Sequence, residues 1–134
     1  MIWDLRTGKH ILPLIGHVNR ITGSEFSING YQLATCGDDN TARIWDIRRK
    51  TCSYIIAAHT KLVSDLKFQP EKAKFLATSS FDGNCKIWST NDWTLRNTIS
   101  VKETQITSLS FTTDLQYIAT TSQDHKWMLW AKKK

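Results

Sequence analysis

Cysteine is scarce in this 134-residue chain, and nothing pairs what there is: Cys36, Cys52 and Cys85 make an odd number, with no C-x-x-C spacing among them. Neither a disulfide scaffold nor a thiolate zinc site is expected, and the three thiols are read as small apolar residues. His10 and His125 lack ligand-spaced partners, so no metal centre is expected from them either. Glycine is too sparse for a phosphate-cradling loop. No apolar run approaches the ~18 residues of a membrane span, and Met1-Ile2-Trp3-Asp4-Leu5-Arg6 lacks the apolar core of a secretion signal. No stretch carries a helical period of ~3.6 residues. Acidic charge is also short, leaving a net charge of +6. The excess gathers in Arg48-Arg49-Lys50 and Lys132-Lys133-Lys134, read first as a solvated turn and tail and only second as a nucleic-acid face. With 40% hydrophobic residues, a chain of this length can bury a core.

Tryptophan, by contrast, recurs in step. Trp3, Trp45, Trp88 and Trp130 are separated by 42, 43 and 42 residues. Asp39, Asp82 and Asp124 each precede a Trp by six positions, and Thr35, Thr78 and Thr120 each precede that Asp by four. Each unit reads as short apolar runs split by polar turns. In the first, these are Ile21 to Phe26, Tyr31 to Thr35, the run to Trp45 and Cys52 to Ile56. The second unit copies them at Val63 to Phe68, at the run to Thr78, at the run to Trp88 and at Trp93 to Ile99. The third has Ile106 to Phe111, Gln116 to Thr120 and Lys126 to Trp130, with no fourth run of its own. Pro13 withholds a backbone donor and places the run from Lys9 to Leu14 at a sheet edge.

A four-stranded unit repeated every ~40–45 residues is a β-propeller blade. With Gly16-His17 and Trp45-Asp46 as its namesake dipeptides, the repeat resembles the WD40 family over essentially the whole chain. The expected fold is therefore an all-β WD40 propeller segment: three antiparallel blades, the last incomplete, plus the tail of a preceding blade. Its expected divisions are 1–15, 16–57, 58–100 and 101–134. The resemblance implies structural tetrads at His17, Thr35, Asp39 and Trp45, at His59, Thr78, Asp82 and Trp88, and in part at Thr120, Asp124 and Trp130. Donor counting explains the residue types. An indole N–H needs an acceptor, a hydroxyl can accept and donate onward, and an imidazole can accept at one nitrogen and donate to a carboxylate at the other. Hydroxyl, imidazole and carboxylate also make a nucleophile triad, but three near-copies in succession fit a staple rather than an active site, and no enzyme or cofactor is expected.

In the third copy Val101-Lys102 replaces Gly-His. Lysine could pair with Asp124 but cannot relay from Thr120, so this blade is expected to be the less tightly bound. Trp45-Asp46 also drifts to Trp88-Ser89 and Trp130-Ala131. Lys126-Trp127 could stack a nucleic-acid base, yet Trp127 holds the strand position of Ala42 and Cys85, and packing is the expected role. A propeller closes with about four blades or more. The chain is thus expected to be the last three blades of a longer protein, with a strand from elsewhere completing the third. Alone, its open strand edges are expected to drive association.

Propellers of this kind bind through their turns, and Asn19, Arg20, Asp38, Lys61, Phe81 and Gln123 are the expected contacts on one rim, Phe81 foremost. Within the family, the runs Gly16 to Ile21, Asn29 to Thr35, Asp39 to Asp46 and Ala57 to Val63 are similar to the C-terminal propeller of U4/U6 small nuclear ribonucleoprotein WD40 subunits. That resemblance implies a nuclear scaffold of the tri-snRNP particle in pre-mRNA splicing. Its partners would be other particle proteins, with snRNA contact through basic turns, and it would have no membrane or small-molecule substrate. A ubiquitin-ligase substrate receptor and a direct RNA binder are the alternatives.

Overall fold

Alternation of small apolar and polar residues, broken by Gly-, Asp- and Asn-rich turns, gives strands and no helix among the described residues. The computed structural model describes residues 1–101, 103–114 and 116–131. The first pair is β1 (Ile2–Trp3) and β2 (His10–Leu12), bonded only to each other. Three antiparallel sheets follow. The first is β3 (Ile21–Phe26), β4 (Gln32–Gly37), β5 (Ala42–Asp46) and β6 (Thr51–Ile56). The second is β7 (Val63–Phe68), β8 (Phe75–Ser80), β9 (Asn84–Ser89) and β10 (Leu95–Ser100). The third has three strands, β11 (Ile106–Phe111), β12 (Tyr117–Ser122) and β13 (Trp127–Ala131). Sheet order follows chain order throughout, as in a meander of hairpins. The Lys132-Lys133-Lys134 tail lies outside the described residues.

Register repeats as faithfully as sequence. Trp45 faces Cys52, Trp88 faces Leu95 and Trp3 faces His10, each pair seven residues apart. Each inner hairpin also shifts register at the same place, between Ile21 and Gly23, Val63 and Asp65, and Ile106 and Ser108. A bulge there sharpens the twist of the inner strand.

The sheets pack face to face in sequence order. Ile44, Ala42, Ile56 and Ala58 of the first meet Val63, Leu66, Phe68 and Leu76 of the second, and these side chains are buried. Ala77 and Cys85 of the second meet Ile106 and Leu109 of the third. Polar rungs cross the same junctions. The Thr22 hydroxyl donates to the Val63 carbonyl, and the Ser64 hydroxyl donates to the Ile106 carbonyl at 2.6 Å. Glu25 accepts the Phe68 amide at 2.9 Å, and Asp65 accepts the Leu109 amide at 3.2 Å. At the outer end Trp93 stacks on Tyr54, with ring centroids 6.4 Å apart.

Two faces find no neighbouring sheet among the described residues. Phe26 is 53% exposed where its counterpart Phe68 is 5%, and Leu129 is 56% exposed where Ile44 is fully buried. Trp127 is 72% exposed, on a side of the third sheet that no other sheet meets among the described residues. The expected Trp93 to Ile99 strand begins at Leu95 instead, since Trp93 sits in the turn with a positive φ of 56°.

Candidate functional site

Each full blade is tied by one hydroxyl. In the first, Trp45 Nε1–H donates to Thr35 Oγ1 at 2.8 Å, Thr35 Oγ1 stands 2.7 Å from His17 Nε2, and His17 Nδ1 stands 2.8 Å from Asp39 Oδ2. The second repeats it, with Trp88 to Thr78 at 3.0 Å and His59 to Thr78 and to Asp82 at 2.9 Å each. The carboxylate can only accept, so the proton of a neutral imidazole belongs on Nδ1, and Nε2 then accepts from the threonine hydroxyl, whose oxygen takes the indole proton. Strand register places these groups. Thr35 and Trp45 lie ten residues apart on neighbouring strands of one hairpin, on the side facing away from the following sheet. Asp39 folds the tight turn between them, taking the Thr41 amide and hydroxyl on Oδ1.

Gly16 is required by what lies over it. A Cβ there would stand 2.5 Å from Arg43 Nη1 and 2.9 Å from the Trp45 ring. The second blade has Ala58 at this place, and beside it the slimmer Lys86, whose ammonium donates to the Ala58 carbonyl at 2.8 Å. Asp46 of the Trp-Asp pair caps the next turn through the Arg48 and Arg49 amides.

Burial sets the electrostatics. The His59 imidazole is wholly buried, and burial holds its pKa below the ordinary 6.5 despite the pull of Asp82. Burial pushes Asp39 and Asp82 up, but the hydrogen bonds each accepts outweigh that and leave both below the ordinary carboxylate 3.8. For Asp39 the donors are Thr41 and His17. For Asp82 they are the Asn84 and Thr60 amides and His59. The Cys36 and Cys85 thiols, pushed by burial up to about 12, have no thiolate chemistry to offer.

The third set is brought together only in part. Trp130 Nε1–H reaches Thr120 Oγ1 at 3.1 Å. Asp124 Oδ1 takes the Lys126 amide, as Asp39 takes that of Thr41 and Asp82 that of Asn84, and the Ser122 hydroxyl besides, while near Oδ2 the Lys126 ammonium stands at 3.8 Å. The expected pairing of Lys102 with Asp124 lies outside the described residues. Asp124 is 39% exposed at its side chain, against 5% for Asp39 and for Asp82.

The six rim candidates lie on the turns at the staple end of the sheets. A backbone rung supports each blade's rim: Asp38 N–H to Arg20 O at 2.8 Å, Phe81 N–H to Leu62 O at 3.2 Å and Gln123 N–H to Gln105 O at 3.0 Å. Asn19, Arg20, Lys61 and Gln123 are exposed, and Phe81 is half-buried. Arg20 Nε pairs with Asp38 Oδ2 at 3.1 Å. The other carboxylate oxygen, Asp38 Oδ1, is buried and has no hydrogen-bond partner among the described residues. Motif spacing alone missed Leu62 and Gln105, although each stands three positions after the residue at the His site. No cluster of His, Cys, Asp and Glu suited to a metal occurs among the described residues. The groove of about 300 Å³ between the second and third sheets is lined by the apolar Ile87, Ile99, Phe111, Ile118 and Trp130, with Arg96, Asn97 and Gln116 also on its wall.

The family model described as "WD domain, G-beta repeat" matches three times, at residues 8–46, 50–89 and 93–131. Among curated proteins, Periodic tryptophan protein 2 of Arabidopsis thaliana is 32% identical over 66% of this chain and 10% of its own length. DDB1- and CUL4-associated factor 10 of Xenopus laevis is 34% identical over 68% of this chain and 20% of its own. The DENN domain and WD repeat-containing protein SCD1 of Arabidopsis thaliana is 33% identical over 68% of this chain and 7% of its own. The chain thus spans a fifth or less of the length of these relatives.

The staple makes two predictions. Thr78→Ala strands both an indole donor and an imidazole, and should cost about 1–3 kcal/mol in urea unfolding, whereas Thr120→Ala strands one donor and should cost about 1 kcal/mol. Equal losses would show that the imidazole adds nothing. Stability should also fall in two steps with pH. The unfolded chain takes up the His59 proton more readily, so that contribution is whole above pH 6.5 and shrinks as pH drops through 6.5 toward the folded value. The Asp39 and Asp82 contributions hold above 3.8 and are lost below it. A urea midpoint unchanged between pH 7.5 and pH 5.5 would rule out the first step.

Proposed function

The chain belongs to the WD40 family of propeller repeats, and on that premise we propose that it serves as a protein-binding scaffold of the spliceosomal U4/U6 particle within the tri-snRNP. WD40 repeats are in general non-catalytic platforms for other proteins. The observation that carries a binding role here is a contrast between neighbouring layers. The hydroxyl and indole staples repeat almost without change, while the rim rungs directly above them change chemistry from blade to blade. They pass from the ion pair Arg20–Asp38, through the apolar Leu62–Phe81, to the amides Gln105 and Gln123. Phe81 is half-buried in a turn otherwise polar, as an interface anchor would be.

The splicing assignment rests on the turn sequences from Gly16 to Ile21, Asn29 to Thr35, Asp39 to Asp46 and Ala57 to Val63. With it go nuclear residence, the particle's proteins as partners, and snRNA reached through the basic turns. A second reading is favoured by one relative whose name associates it with DDB1 and CUL4. Under it the same rim would receive a substrate for ubiquitin ligation.

A pull-down of the protein, probed for U4 and U6 RNA before and after a high-salt wash, separates these readings. Scaffolding through proteins predicts that the RNAs survive the wash. Direct RNA binding predicts that they are lost, because counterion release drives it. A substrate receptor predicts no RNA at all. Phe81→Ala should weaken protein-partner retention by about 2 kcal/mol while leaving the unfolding midpoint nearly unchanged. Retention at the wild-type level would remove Phe81 from the interface.

A further inference from the structure

The turn between β5 and β6 gathers three cations and ends on a hydroxyl. Arg48, Arg49 and Lys50 run directly into Thr51, so arginines stand three and two positions before a threonine. Elsewhere an arginine precedes a hydroxyl by two positions only at Thr22 and Thr98, each time without a second arginine. Thr22 is already committed, donating to the Val63 carbonyl. The arginine before Thr98 is drawn toward Asp92, 3.9 Å away.

The groups of the first turn are within reach of a partner. The Arg48 and Arg49 side chains are 64% and 80% exposed, and their Nε atoms meet Asp46 only loosely, at 3.6 and 3.9 Å. Arg48 also lies over the Tyr31 ring, 3.7 Å from its centroid. Asp46 Oδ1 takes its hydrogen bonds from the Arg48 and Arg49 amides, so the turn does not depend on the guanidiniums. Thr51 is exposed, as the first residue of β6. In register it stands opposite Asp46, and residues directly opposite share a face of the sheet. A phosphate on Thr51 would therefore arrive where Arg48 and Arg49 already gather. Guanidinium forks match phosphate oxygens well. At a charge of about −2, the phosphate would offset two of the three cations in the turn.

A kinase cleft takes its substrate extended, whereas Lys50 is held in the left-handed region at a φ of 57°. The turn must open before it can be read, and β6 makes that opening easy. It is the outermost strand of its sheet, with its far edge unpaired among the described residues. Four of its six residues are exposed, and the buried one, Ile56, is at the end farthest from Thr51. Releasing the Asp46–Thr51 and Trp45–Cys52 rungs frees the turn and its hydroxyl together. The staple of Trp45, Thr35, His17 and Asp39 takes no group from β6 and stays closed meanwhile. Fraying of this kind, at an exposed strand end, lies at the low-energy limit of local opening.

We propose that Thr51 is a phosphorylation site for a protein kinase that selects arginine three and two residues before its target. Such enzymes read substrates by the pattern of charge around the acceptor. In the reaction Thr51 Oγ1 bonds to the γ-phosphorus of ATP while the bond from that phosphorus to the β,γ-bridging oxygen breaks. ADP leaves with the electron pair of the broken bond, and the hydroxyl proton passes to the kinase's aspartate.

The catalytic subunit of the cyclic AMP-dependent protein kinase, which reads this arginine spacing, is the probe. With magnesium and ATP it should add one phosphate to the folded 134-residue chain, located at Thr51 by fragmentation mass spectrometry. Thr51→Val should lower incorporation by about tenfold or more, and so should Arg48→Ala combined with Arg49→Ala. The arginine variant should keep its urea midpoint, because the Asp46 caps are made by backbone amides. A synthetic peptide of residues 45–56 serves as the unfolded reference. Phosphorylation of the peptide but not of the chain would overturn the proposal, by showing the turn shut in the folded sheet, and failure of both would overturn it at the motif. Phosphate on Ser53 or Thr98 in place of Thr51, or an unchanged rate in the arginine variant, would overturn it as well.

Discussion

One side-chain oxygen governs each blade. A buried indole N–H has no use for another donor, and a buried imidazole must accept at one nitrogen if it is to donate at the other. Threonine Oγ1 is the group that can stand between them, accepting at 2.8 Å from Trp45 and lying 2.7 Å from His17 in the first blade. A neutral hydrogen bond of this kind contributes about 1 kcal/mol net, but leaving any member of a buried chain unmet costs more. The constraint therefore acts mainly against alternatives. Any slip of the Thr35 strand against the Trp45 strand by one residue would turn Thr35 to the other face and strand every group along the relay. The carboxylate at the end of the relay then ties the tight turn to the strands beneath it, which gives the rim a fixed footing.

Fixed footing and free chemistry divide along the same strands. Below the rim, small residues such as Ala34, Ala42, Ala77 and Cys85 let neighbouring sheets approach closely, and hydroxyls at Thr22 and Ser64 lock one sheet to the next. Above it, the rungs Arg20–Asp38, Leu62–Phe81 and Gln105–Gln123 share a backbone geometry and nothing else. A scaffold protein needs that division, because side chains that meet partners can change without disturbing the staples that present them.

The spacing of Trp, Asp and Thr made the sheets and two of the three relays legible before any coordinates, since hydrogen-bond inventory alone demands those residue types together. What spacing could not convey was the surroundings of each repeat. Trp127 matches Ala42 and Cys85 in register, yet it is exposed where they are buried, on a side that no other sheet meets among the described residues. Asp124 likewise keeps the turn amide that Asp39 and Asp82 accept, but takes the Ser122 hydroxyl where they are met by an imidazole. Leu62 and Gln105 carry no motif of their own, and only the backbone rungs reveal that they share the rim with Phe81 and Gln123.

The direction of the relay is open to direct observation in the ring nitrogens of His17 and His59. Long-range proton–nitrogen correlation spectra of the labelled protein at pH 7.5 distinguish a protonated Nδ1 from a protonated Nε2. The relay requires both imidazoles to be neutral, with the proton on Nδ1 and Nε2 accepting from threonine. A proton on Nε2 of either ring, or a doubly protonated imidazole at that pH, would contradict it.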